Sequence, residues 1–391
     1  MTHYRSVFKD ETRLDINYVP SRLPHRDSEL QLLMKFFNFV LHAPEKMTQR
    51  ALITGPIGTG KTALAHRFGL DIAREARRFG TNLNYVHVNC REYQGSLFLI
   101  LLHAVSAFHP NFPRRGYSAE ELLNILLQIL DERETHLILA LDEFESLVER
   151  EGSDAVYKLT RLQETRPRQA QRISLLCILR NVDLLKQLDA SAKSTLQSNI
   201  LHLEEYSGQQ LIDILNDRVH LAFKPLAVPE HTVSMVAEFA FSEGGNARLG
   251  IELLWRAGKY ADNENLAKVS PECVRKAVSN IYSVMRKGDL DSLKPHEKLF
   301  LLGIARVFKD KEEAHCTLTE AEQAYAIACE ESDVKPHSHT QLWKYLTTLS
   351  ALGILKTEVT SAGSRGRSTL IWLTDISAEE LDRALSTQLL R

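Results

Sequence analysis

Four short apolar runs punctuate the first half of the chain, each closed by glycine or polar residues: ALIT, ending at Thr54, NLNYVHVNC at 82–90, HLILALDE at 136–143 and RISLLCILRN at 172–181. The second alternates like a half-buried strand, whereas the others are continuous, as in strands covered on both faces. Between them the apolar positions recur at three and four spacing, first from Asp27 in DSELQLLMKFFNFVL and again from Thr62 to Phe68. Strands alternating with helices predict a parallel sheet with helices on both faces and ligands at the carboxyl ends of the strands. From about Ser207 helical spacing takes over, through QQLIDILNDRVHLAF, TVSMVAEFAF, ARLGIELLWRAGKYA and PECVRKAVSNIYSVMRK. The last part, SHTQLWKYLTTLSALGILKTEVTSAGSRGRSTLIWLTD, reads as helix, strand, glycine-rich turn and strand.

A length of 391 residues implies two or three domains. With 44% hydrophobic and 25% charged residues the composition is that of a globular protein. No run reaches membrane-spanning length and MTHYRSVFKDETRLD lacks the apolar core of a secretory signal, so a cytoplasmic protein without a membrane partner is expected. The five cysteines are scattered without a C-x-x-C pair, which predicts reduced, mostly buried thiols. A net charge of -2 argues against a surface that coats nucleic acid throughout, while leaving room for a local basic patch.

The first buried run opens onto GPIGTGKT, the G-x-x-x-x-G-K-T pattern of a phosphate-binding loop. Gly55, Pro56, Ile57, Gly58, Thr59, Gly60, Lys61, Thr62 and Ala63 are therefore the expected contacts of ATP or ADP: inward backbone N–H groups and a helix start cradle phosphate, and Lys61 reaches the outer phosphates. Thr62 is placed to put its hydroxyl on magnesium. The third run ends in Asp142 and Glu143, of which Asp142 can hold the magnesium shell and Glu143 can orient and deprotonate a water. A kinase would need a substrate pocket in place of that second acid. Asn181, closing the fourth run, can bond the terminal phosphate or the water, or can cap the helix after it. Arg248, in GGNARLG, begins a helix from which an arginine can reach phosphate charge.

The C-terminal pattern has the layout of a winged helix. Pro336 and Ser338 precede a helix at Thr340 to Leu349 whose exposed face, with Lys344, suits a major groove. The turn from Ser361 to Ser368 carries Arg365, Gly366 and Arg367, suited to phosphate or a narrow minor groove. From Lys335 to Arg367 five Lys or Arg residues oppose only Glu358. Such domains also mediate protein contacts, so a protein-binding role stays open.

These parts together resemble the archaeal replication initiator family, related to the eukaryotic origin recognition complex and its helicase-loading partner. LPHRDSEL, GPIGTGKT, LALDE, ILRN, GGNARLGIELL, and TQLWKYLTTLSALGI followed by RGRSTLIWL carry the resemblance along almost the whole chain. It implies an α/β P-loop NTPase of AAA+ type with a helical lid domain, followed by a winged-helix domain. The corresponding boundaries are an N-terminal arm at 1–26, the nucleotide domain at 27–206, the lid at 207–289 and the winged helix at 290–391. It makes Asn181 and Arg248 the two sensors beside Lys61, Asp142 and Glu143. It also turns Arg114 and Arg115, in FHPNFPRRGYSAEELLNIL, from an exposed loop into a second DNA contact. The implied partners are duplex origin DNA, paralogous initiators and the replicative helicase, and the implied location is on chromosomal DNA. One departure stands out: Ser191 occupies a place where the family usually carries an arginine, so slow, regulatory ATP hydrolysis is expected, with Arg180 or Arg172 as substitutes if it is fast. An ATP-dependent transcription regulator, a transposition ATPase, or a protein-interaction switch whose winged helix does not bind DNA would share much of this pattern.

Overall fold

A computed structural model describes residues 6–160, 169–196, 199–282, 290, 292–311, 313–360, 368–374 and 376–389. They fall into two compact units, a sheet unit of 17–210 with 243–248, and a helical unit holding the rest.

In the sheet unit five strands, β1 (Arg50–Thr54), β2 (Leu83–Asn89), β3 (His136–Asp142), β4 (Ile173–Leu179) and β5 (Ile200–His202), pair in parallel in the order β2-β3-β4-β1-β5. Successive side chains leave opposite faces. Leu139, Leu141, Leu175 and Cys177 join one buried core, against α3 (Leu97–Phe108), α4 (Ala119–Glu132) and α5 (Glu145–Thr160). Ile53, Ile138, Ala140 and Ile178 join the other, against α1 (Asp27–His42) and α2 (Lys61–Phe79). This double burial is why three of the strands read as continuous apolar runs. The short helix α6 (Ala190–Leu196) precedes β5.

Two features differ from the sequence reading. Strand β5 was not expected, because it is three residues long and buries only Leu201, leaving no period to detect. Helix α2 runs on through Gly69 to Phe79. That glycine lies against β2, where a Cβ would come within 2.4 Å of the Tyr85 ring. All five thiols are free and buried, as expected.

The helical unit contains α7 (Gly208–Ala222), α8 (Glu230–Ser242), α9 (Ala247–Asn263) and α10 (Pro271–Tyr282) for most of their length. Residues 6–16 belong with them: Phe8 bridges to Phe223, and Asp262 accepts from Ser6 Oγ at 2.7 Å and Val7 N at 2.6 Å. In the same unit lie α11 (Pro295–Asp310), β6 (Cys316–Thr317), α12 (Leu318–Glu331), α13 (His339–Ala351), β7 (Leu355–Thr360), β8 (Ser368–Leu373) and α14 (Ala378–Leu389). Their sheet is antiparallel in the order β6-β8-β7, and α13 is the helix expected before the strand pair. Arg275 of α10 joins the two parts of the unit: its guanidinium stacks 4.8 Å from the Phe308 ring and donates to Glu272 Oε2 at 2.9 Å, while Glu272 Oε1 accepts from Glu379 N. No helix among the described residues is long and apolar enough to cross a membrane.

His136 starts β3 inside the sheet unit. Its Nδ1 donates to Pro44 O at 2.6 Å and its Nε2 lies 2.8 Å from Ser174 Oγ, and its burial favours the neutral ring. Burial pushes its pKa down to about 4, from 6.5 in the unfolded chain. A depressed histidine contributes stability that is full above pH 6.5 and is lost as pH falls toward 4. Going from pH 7 to 5 should therefore cost the sheet unit about 2 kcal/mol through this group. Urea unfolding at both pH values checks this, with His136→Gln losing correspondingly less than wild type.

Candidate functional site

The loop between β1 and α2 is shaped by glycines. Gly58 and Gly60 have φ of 81° and 86°, in the left-handed region that favours glycine, and Gly60 caps α2. Lys61 Nζ donates to Gly55 O at 2.7 Å and Pro56 O at 2.6 Å, and Thr59 Oγ donates to Pro56 O at 2.9 Å. Burial lowers the Lys61 pKa, opposed by the charge of Asp142. The back of the loop is held by Arg26, only 5% exposed. Its Nη2 donates to Thr59 O at 3.1 Å and Glu204 O at 2.8 Å, its Nε donates to the Tyr206 hydroxyl at 3.0 Å, and its Nη1 pairs with Glu29 at 2.7 Å.

The parallel register brings the acidic strand end to this loop. Thr62 Oγ donates to Asp142 Oδ2 at 2.7 Å, and Asp142 Oδ1 accepts from the Glu143 amide at 2.8 Å. His87 of β2 places Nε2 3.4 Å from Asp142 Oδ2. Burial acts to raise the Asp142 pKa, but the interactions with His87, Thr62 and the Glu143 amide together outweigh it and hold the carboxyl below its ordinary value. Glu143 has φ 47°, and its Oε1 lies 3.4 Å from Arg180 Nη2. Arg180 also approaches Glu145 at 3.5 Å.

Asn181 caps the short 3-10 helix Val182–Gln187: Oδ1 accepts from Asp183 N at 2.8 Å and Nδ2 donates to Asp183 Oδ2 at 3.1 Å. One Nδ2 hydrogen remains for a further acceptor. Arg172 lies at the opposite, N-terminal end of β4, buried and paired with Asp131 at 3.2 Å, which removes it as a substitute for the arginine missing at Ser191. The GGNAR stretch meets the loop, with Ala247 N donating to Gly58 O at 3.2 Å. Arg248, the next residue, is exposed.

The donors fit magnesium. A carboxylate and a hydroxyl are hard oxygen ligands, and magnesium takes one or two such protein ligands when phosphates and water complete its shell. Among the described residues no cluster of three or more His, Cys, Asp or Glu could hold a metal ion.

Two basic features lie elsewhere. In the sheet unit, Arg114 and Arg115 are exposed on the turn between α3 and α4, with the Phe112 and Tyr117 rings packed 5.1 Å apart at its base. In the helical unit, α13 exposes Lys344 beside Trp343, whose indole Nε1 donates to His339 Nε2 at 3.3 Å. Arg365, Gly366 and Arg367 lie outside the described residues; the strands flanking them pair as far as Thr360 with Ser368.

Family models match the chain in three blocks: an AAA ATPase domain at 22–176, a Cdc6 AAA+ ATPase-type lid domain at 212–279 and a CDC6 C-terminal winged helix domain at 288–384. The ORC1-type DNA replication protein 2 of Sulfolobus acidocaldarius is 32% identical over 98% of this chain and 94% of its own length, and that of Sulfurisphaera tokodaii is 31% identical over 98% and 93%. The chain belongs to the archaeal ORC1/Cdc6-type replication initiators. Solved members of this initiator family share its fold: Cdc6p from Pyrobaculum aerophilum superposes with a TM-score of 0.81 at 29% identity, covering 98% of this chain and 99% of that one. The Aeropyrum pernix ORC1 protein, solved in complex with DNA, gives a TM-score of 0.65 at 28% identity, covering 97% of each. This initiator is thus an AAA+ ATPase with a lid and a winged helix.

Sequence reasoning missed Arg26, Tyr206, Asn246 and His87 as parts of the site. No motif spacing marks them, although LPHR, just ahead of the first helix, was a signal for Arg26. Gly58 and Asn246 make the sharpest test of this packing. A Cβ on Gly58 would lie 2.8 Å from Asn246 Cα, whereas Gly116, also at positive φ, faces open space. Both alanine variants bear a backbone cost of about 1–2 kcal/mol. Gly58→Ala should lose measurably more urea stability than Gly116→Ala; equal losses would mean that the loop and the GGNAR stretch do not touch.

Proposed function

We propose that this chain is an ATP-dependent origin-recognition protein that binds duplex DNA and takes part in starting replication, with slow ATP hydrolysis as its switch. The observation that carries the nucleotide half is the 2.7 Å contact between Thr62 and Asp142, which brings the phosphate loop and the acidic strand end to one point. Thr62 and Asp142 hold magnesium, which supplies positive charge beside the outer phosphates. Lys61 exchanges the Gly55 and Pro56 carbonyls for phosphate oxygens. Glu143 orients the attacking water and takes its proton, and Asn181 offers its remaining N–H to phosphate or water while still capping. Arg248 follows the residue bonded to Gly58 and supplies a second cation to the phosphates, so that nucleotide state reports to the lid. Ser191, in place of an arginine, supports a slow turnover.

For DNA, the reading rests on a relative solved in complex with DNA and on local charge in a chain of net charge -2. Lys344 on α13 and Arg365, Gly366 and Arg367 in the wing contact one stretch of duplex, and Arg114 and Arg115 contact phosphate elsewhere. Paralogous initiators and the replicative helicase are the proposed partners.

Lys61→Ala should weaken ATP binding about tenfold or more, because it removes charge-assisted hydrogen bonds. Glu143→Gln should keep the affinity and lose about 10²–10⁴-fold in turnover. Calorimetry and a phosphate-release assay separate the two, and wild-type behaviour in both variants would remove the site. On DNA, replacing Arg114 and Arg115 together, or Arg365 and Arg367 together, with alanine should flatten the slope of log affinity against log salt by about 1.8, since each lost phosphate contact accounts for about 0.9. Fluorescence anisotropy across a salt series reads the slopes. An unchanged slope in the Arg365 and Arg367 variant would leave the wing to a protein partner.

A further inference from the structure

The pair of stacked histidines beside the acidic strand end has no place in the mechanism above. His66, on the P-loop helix α2, and His87, on β2, stack with ring centroids 3.9 Å apart and planes at 25°. The second ring has polar neighbours on two further sides. Tyr85 of the same strand donates its hydroxyl to Ala65 O at 2.8 Å, and the Tyr85 hydroxyl oxygen lies 3.4 Å from His87 Nδ1, while His87 Nε2 faces Asp142 Oδ2 at 3.4 Å. The His87 side chain is 13% exposed and that of Asp142 6%. A carboxylate only accepts hydrogen bonds, so the ring nitrogen facing it carries the hydrogen. Thr62 donates to the same oxygen, so Oδ2 has a partner on either flank, and rotation of the carboxylate would break both contacts.

We propose that His87 is a positioning residue for the magnesium-holding carboxylate: with its ring stacked on His66 and bordered by the Tyr85 hydroxyl, it fixes the orientation of Asp142 before nucleotide and metal arrive. The inference rests on the magnesium role given to Asp142 above. Groups that orient a ligand without touching the metal change metal affinity by about 10–100-fold when removed. His87 does not touch the phosphates. Its loss therefore acts on the metal-dependent part of nucleotide binding and spares the part supplied by the loop and Lys61.

The experiment titrates full-length wild type, His87→Ala, His87→Gln and His66→Ala with ADP by calorimetry, in EDTA and over a series of free magnesium concentrations. Wild type should bind ADP in EDTA and more tightly with magnesium; a wild type indifferent to magnesium would sink the metal reading of Asp142 itself, separately from this inference. In His87→Ala the magnesium concentration giving half of the metal-dependent gain should rise about tenfold or more, with the affinity in EDTA unchanged. His87→Gln, whose amide N–H can face the carboxylate, should recover most of the shift. An unmoved midpoint in His87→Ala overturns the proposal, and so does an equal loss with and without metal, which would mark a merely structural residue. Should His87→Ala fail to fold, His66→Ala decides: it leaves His87 in place but frees its ring, so a smaller shift in the same direction supports the positioning role and no shift overturns it.

Discussion

A single hydroxyl-to-carboxylate contact, Thr62 to Asp142, ties the start of α2 to the end of β3. These residues are 80 positions apart in sequence, and only a parallel sheet delivers them to one edge. The pairings Thr54 with Leu179 and Asn89 with Asp142 bring strand ends level, so loop, acids and Asn181 emerge side by side. Burial of the sheet on both faces sets this register, because slipping a strand by one residue would exchange the two cores. Site and core thus depend on the same alternation.

Much of this was legible in the sequence for a physical reason. Continuous apolar runs mark strands covered on both faces, and a G-x-x-x-x-G-K-T turn has few uses other than phosphate. Legibility failed where a contact depends on residues far apart in sequence. Arg26 works through two backbone carbonyls and a tyrosine ring, and backbone carbonyls leave no trace in a sequence. His87 looked like one more residue of a half-buried strand. Strand β5 was invisible because three residues on a sheet edge, one of them buried, carry no period. Asn181 shows the reverse: both readings raised for it, cap and polar group at the strand end, are compatible with the same side-chain pose.

The winged-helix part follows a different logic. Its buried cluster has members from Leu290 to Leu385, and helix α13 buries Leu342, Tyr345, Leu346 and Leu349, which fixes Trp343 and Lys344 outward by helical spacing alone. Position on the helix, more than net charge, decides what a groove would meet. In a chain of net charge -2, any pull on phosphate has to be local.

Arg26 has a wider consequence. Its guanidinium satisfies the Thr59 and Glu204 carbonyls and lies over the Tyr206 ring at 4.2 Å, so the loop is braced from behind by a buried charge. A loop held this way has lost its conformational entropy when the chain folds, so that loss need not be met again on binding. Ligand binding then asks for a local exchange of the Lys61 contacts in a loop whose backbone is already braced. Arg26, one residue ahead of α1, thus belongs to the cradle although it lies outside the loop itself.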